Sequence, residues 1–134
     1  MYHKKKLWTM CVLPVLLYGA ETWILTDRVI NKVRVVVRAM SRLMLNISRR
    51  DKKTKAWIRK EALLDDVGKI ISERKWNWAG HIMRTTDGRW TKKILEWYPR
   101  DLKRKRGRPT NSWDTEFKKV CGGALWHRIT QDRR

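Results

Sequence analysis

The sequence predicts a mainly α domain, about four to five helices carrying a basic extended strap and tail. Apolar residues return every three or four positions across residues 29–47 and again across 67–83, the period of a helix buried along one side. The strap follows from residues 103–109, Lys-Arg-Lys-Arg-Gly-Arg-Pro. Unpaired cations at this density cannot enter a core, and glycine with proline bars a regular element through the middle. The helical body is expected over residues 1–98, the strap over 99–112, and a short helix with a tail over 113–134.

Charge bounds the function. Lys and Arg number 33 against 13 Asp and Glu, a net charge of +20. Self-repulsion on that scale is usually offset by a polyanionic partner, nucleic acid first and an anionic membrane surface second. A hydrophobic content of 42% still allows a small core. Two cysteines, Cys11 and Cys121, make no disulfide framework and point to a reducing compartment; the expected location is intracellular, the nucleus ahead of the cytoplasm. Lys4-Lys5-Lys6 and the apolar residues 7–18 imitate a signal peptide, but bulky Tyr18 sits where cleavage after Ala20 needs a small residue. The run is also shorter than the roughly 20 residues of a membrane span, so no membrane partner is expected.

Taken in order, residues 7–17 read as a helix apolar all round and therefore internal, kinked or ended by Pro14. Gly19 is free to take positive φ in the turn that follows. Thr26-Asp27 supplies an N-cap and first-turn acid for the clearest helix. Its apolar arc holds Val29, Ile30, Val33, Val36, Val37, Met40, Leu43, Met44 and Ile47; Arg34, Arg38, Arg42 and Arg49 fall opposite. An arginine stripe is commonly just a solvated face, but no acid at i+4 neutralises this one, which favours phosphate contact. A short helix over 55–64 buries Trp57 and Ile58, and Asp65-Asp66 caps the next, over 67–83. That helix places Arg74, Asn77, His81 and Arg84 along one edge. Residues 90–97 fit a hairpin strand and a short helix equally. Residues 113–121 form a helix with Trp113, Phe117 and Val120 inward, ended by Gly122-Gly123, and 125–134 a ragged basic tail.

Catalytic patterns are missing. Asp65-Asp66 is the one adjacent carboxylate pair, and metal-dependent polymerization needs such a pair with a third Asp on a neighbouring strand. Its place between helices favours capping. Cys121 and His127 are too far apart, and too few, for zinc-knuckle spacing. No glycine-rich phosphate loop occurs, and no nucleophile has a base beside it. No cofactor, no metal and no enzymatic activity are expected of the chain alone.

Nine tryptophans divide into two groups. Trp8, Trp23, Trp57, Trp78 and Trp113 have apolar neighbours and read as core. Trp76, Trp90, Trp97 and Trp126 lie near cations, where they could stack bases or simply cover a small core. Arg106-Gly107-Arg108-Pro109 resembles the centre of an AT-hook, thin enough for a narrow A·T minor groove. The plainer alternative is a strap gripping phosphates without sequence preference.

Four stretches, in order, resemble the C-terminal end of the reverse transcriptase of non-LTR retrotransposons. They are Leu13-Pro14-Val15-Leu16-Leu17-Tyr18-Gly19-Ala20-Glu21-Thr22-Trp23; Trp78-Ala79-Gly80-His81-Ile82-Met83-Arg84; Arg106-Gly107-Arg108-Pro109 with Trp113; and Thr130-Gln131-Asp132-Arg133. The resemblance implies a helical thumb that grips template–primer, followed by a basic extension that binds RNA or DNA. The family's catalytic Ala-Asp-Asp motif, its other palm Asp and its endonuclease domain have no counterpart here. The chain thus reads as a non-catalytic fragment or remnant whose partners are RNA or DNA and the missing polymerase and endonuclease domains. The residues expected to contact nucleic acid are Arg34, Arg38, Arg42, Arg74, His81, Arg84, Lys103, Arg104, Lys105, Arg106 and Arg108. An AT-hook-like chromatin binder and a non-functional pseudogene product are the alternatives.

Overall fold

A computed structural model describes residues 2–88, 90–96, 107, 111–123 and 126–131. As expected, the architecture is mainly α, and no strand occurs among the described residues. The chain divides into two compact units at Arg74 and Lys75, inside one helix. This differs from the expected division after residue 98, because residues beyond Lys75 share a core with residues 113–131. Loop composition pointed at the strap; core sharing decides the boundary.

In the first unit, α1 (Tyr2–Leu7), a π turn (Trp8–Val12) and α2 (Leu13–Leu16) follow without a break. Pro14 has no N–H and its ring crowds the carbonyl four residues back, and the wider turn ahead of it accommodates both. The stretch is not internal on every side, as its composition suggested. Trp8, Leu13 and Leu17 are buried, whereas Leu7, Met10, Val15 and Tyr18 are exposed. Gly19 takes φ +64°, the left-handed turn expected of it.

α3 (Asp27–Leu45) starts where Thr26 Oγ1 accepts the Val29 N–H at 3.3 Å. Val33, Val37, Met40 and Met44 pack on the core. Val36 and Leu43, assigned to the same arc, face outward at 41% and 79% exposure. The buried stripe is therefore narrower than the apolar one. At the C-terminal end, Lys4 Nζ donates to the Met44 carbonyl at 2.8 Å, a cation on the negative end of the helix dipole.

α4 (Lys55–Ala62) packs along α3, capped by Thr54. Ile58 is buried, but Trp57 is 38% exposed with the Lys53 ammonium 5.1 Å from its ring, so it is no core residue. Val67 and Ile71 of α5 (Val67–Arg84) complete the first core with Trp8, Leu13, Leu17, Ala20, Ala62 and Leu64.

The second unit comprises the rest of α5, α6 (Trp90–Glu96), α7 (Thr115–Cys121) and α8 (Trp126–Gln131). α6 settles the strand-or-helix ambiguity in favour of helix. Within the expected ragged tail, residues 126–131 form α8, held down by fully buried Trp126. Val120, expected inward, is 69% exposed. The core is Ala79, Ile82, Met83, Phe117 and Trp126, packed by Trp76, Trp78, Leu95, Trp113 and Cys121.

Candidate nucleic-acid interface

In the first unit the arginine stripe meets an acid from outside its own helix. Arg34 donates Nε to Asp66 Oδ1 at 3.1 Å and Nη2 to Oδ2 at 2.7 Å. Arg59 stands 3.5 Å from Oδ1. The Arg34 hydrogen bond, outweighing partial burial, holds the Asp66 carboxyl below its usual range, and the Lys69 N–H adds to this. Asp66 is thus the cap of α5, as its position suggested, and also the anchor of a bidentate fork. Gly68 makes the room: a Cβ there would lie 2.9 Å from Arg34 Nη2 and 3.3 Å from Ile30.

Arg38, with Lys55 and Arg59, lines a small cleft of about 70 Å³ beside the fork. Arg42 is half-buried in the last turn of α3. Arg74 reaches the Leu17 carbonyl at 3.4 Å. The three i, i+4 arginines of α3 thus have different surroundings: the first is held by protein, the second edges a cleft, the third sits at the helix end.

In the second unit Arg84 donates Nη1 to the Thr130 carbonyl at 2.9 Å. A Cβ on Gly80 would meet that Arg84 nitrogen at 2.7 Å and the Thr130 carbonyl at 3.3 Å, so glycine lets α8 and the guanidinium come close. His81 is exposed and lines a cavity of about 530 Å³ with Trp78, Ile82, Thr85, Lys92 and Lys93 among its walls. Trp78, His81, Ile82 and Thr85 recur at i, i+3, i+4 and i+7, a spacing visible in the sequence. Lys92 and Lys93 arrive from α6 and could not be assigned while that segment was ambiguous.

The tryptophans sort differently from their sequence neighbourhoods. Trp126 stacks on Phe117, centroids 4.8 Å apart, and Trp76 meets Phe117 edge-on at 4.5 Å, so both are structural. Trp113 packs on Trp78, Phe117 and Trp126, so it too is structural. Trp90 is 75% exposed. Lys75 escaped notice altogether. It is 1% exposed, its Nζ 3.6 Å from Glu116 Oε2 and 5.0 and 5.3 Å from the Trp113 and Phe117 ring centroids. Burial pushes its pKa below the usual lysine value, with Glu116 opposing. Lys103, Arg104, Lys105, Arg106 and Arg108 of the strap, like Trp97, lie outside the described residues.

Among the described residues no three His, Cys, Asp or Glu side chains gather as a metal site would require, and no helix is long and apolar enough to cross a membrane. No family model matches the chain, and no solved structure does. The chain is 31% identical, over 135 aligned positions covering 92% of it, to an uncharacterized protein of Caenorhabditis elegans described as transposon-derived. It spans about half of that relative's length, 48%. A protein this similar along nearly the whole chain supports a transposon origin.

Proposed function

We propose that this is a nucleic-acid-binding C-terminal part of a non-LTR retrotransposon reverse transcriptase, binding RNA or template–primer through phosphate contacts and non-catalytic on its own. The observation that carries it is surplus positive charge left over after internal pairing. Net charge is +20, and Asp66, Glu73, Asp114 and Glu116 each already face a cation within the fold. Lys4, Lys5, Lys6, Arg49, Arg50, Lys52, Lys53 and Lys55 are all exposed. The transposon-derived relative supports a transposon origin, and the resemblance of the four ordered stretches to the non-LTR family suggests the rest. Asp66, clasped by two guanidinium groups, is better placed to cap α5 than to hold a catalytic metal.

On this reading Leu7, Met10, Val15 and Tyr18 are exposed because a polymerase domain covers them in a longer protein, and the working compartment is the nucleus. The test is binding to RNA, primer–template and A·T-rich duplex over a salt series. Phosphate contact predicts a slope of about −0.9 per contact on duplex and −0.7 on single strands. Replacing Lys103, Arg104, Lys105, Arg106 and Arg108 by Gln should flatten it by roughly three to five units on every sequence. A loss confined to A·T-rich duplex after Arg106→Lys or Arg108→Lys would instead favour the AT-hook reading. Salt-insensitive binding would sink both. Primer extension with magnesium should be absent; extension lost on Asp65→Ala with Asp66→Ala would overturn the capping role.

A further inference from the structure

We propose that the cavity lined by Trp78, His81, Thr85, Lys92 and Lys93 seats one unstacked nucleotide of a single strand, its base against Trp78 and its phosphodiester between Lys92 and His81. The inference rests on the nucleic-acid reading above and gives it a site. At about 530 Å³ the cavity falls within the usual range for small-ligand clefts, roughly 300–1,000 Å³.

Its lining joins the two chemistries a nucleotide carries. Trp78 is fixed, packed edge-on against Trp113 with centroids 5.3 Å apart. A preset ring loses little freedom when a base stacks on it. Lys92 and Lys93 bring positive charge from α6, and exposed His81 adds a donor on the α5 side. The Thr85 hydroxyl is turned inward onto the His81 carbonyl at 2.8 Å, which leaves its oxygen as an acceptor. Asp87 also lines the cavity. A base already paired in a duplex cannot enter such a cavity without being unstacked. Single strand is therefore the ligand, and duplex the control.

The experiment uses the full chain and an oligonucleotide of about 12 residues carrying 5-bromouracil, a length one binding module can cover. Irradiation of the unsubstituted protein should crosslink at Trp78 or His81, mapped by peptide mass. In parallel, His81→Ala with Lys92→Gln should lower single-strand affinity roughly five- to tenfold while changing duplex affinity less than about twofold. Crosslinks confined to other peptides, or equal losses on both ligands, would overturn the proposal and leave the phosphate-binding reading standing. If the unsubstituted chain binds neither ligand in the salt series, both fall together.

Discussion

The two units solve the same problem with opposite materials. The first closes over Leu13, Leu17, Val67 and Ile71 with one tryptophan, Trp8, among its buried residues. The second closes over Phe117 and Trp126, walled by Trp76, Trp78 and Trp113, with a lysine inside. In the first, the paired charges stand at the edge, in the Arg34–Asp66 fork, whose side chains keep 40% and 23% exposure. In the second, Lys75 is as buried as Phe117 and Trp126. A ring face carries partial negative charge and an aliphatic side chain does not, so an aromatic core helps to hold a cation whose acid partner is Glu116. Composition thus decides where each unit can put charge.

The largest test of that contrast is to remove a ring. Phe117→Ala should cost about 3–5 kcal/mol, because it opens a cavity beneath Trp126 and takes one wall from Lys75. Hydrogen exchange should show the loss concentrated in α7, α8 and the second half of α5. Leu17→Ala should cost about 2–5 kcal/mol and loosen α3 and α4 instead. If both variants lower protection everywhere alike, the two cores are not separate.

The next test reverses the charge arrangement. Asp66→Ala removes both the cap and the acceptor of the fork, and should cost about 1–2 kcal/mol. It also releases Arg34, so the salt slope of nucleic-acid binding should steepen by about one contact. An unchanged slope would mean that Arg34 stays off the phosphates even when free.

Acid and alkali should separate the units further. The Asp66 carboxyl is lowered from its unfolded value of 3.8, so the stability it contributes is complete above that value and is lost as pH falls toward the folded one. Lys75 is lowered from 10.5, so between its folded pKa and 10.5 the unfolded chain holds more protons. Stability of the second unit should therefore rise with pH across that window, and Lys75→Met should abolish the rise. Denaturant melts at stepped pH would check both signs. A fall in stability there, in the parent protein, would show that pairing with Glu116 outweighs burial at Lys75.

The smallest effect is expected at Gly80→Ala. Alanine favours the helix by up to about 1 kcal/mol, but its Cβ displaces the Arg84 guanidinium and presses on the Thr130 carbonyl. The two should nearly cancel in stability, leaving faster exchange in α8 as the readout.

Legibility followed chemistry. Thr26, Gly19 and Gly122 act locally, and the turns and caps they form could be read from their identity alone. The period of α3 gave its inner face, except at Val36 and Leu43, where the apolar arc is wider than the core it meets. What could not be read depends on residues distant in sequence. Asp66 lies 32 positions from Arg34, and nothing local marks either as a partner. Lys75 reads as a surface cation until Glu116, Trp113 and Phe117 fold over it. Trp126 stands next to His127 and Arg128 and still goes wholly inside, because Phe117 offers it a face.

The sharing of α5 between the cores also orders events while the chain is being synthesized. Every buried residue of the first core precedes Arg74, so that unit can close as soon as this stretch has left the ribosome. The second half of the same helix then waits for Trp126, about fifty residues later. At about 5–20 residues per second the wait is several seconds. For most of it Trp76, Trp78, Ala79, Ile82 and Met83 have no partners from α7, and throughout it none from α8. A nascent helix bearing that apolar face is what general chaperones bind, and premature termination within this interval would release a chain with one core finished and the other open.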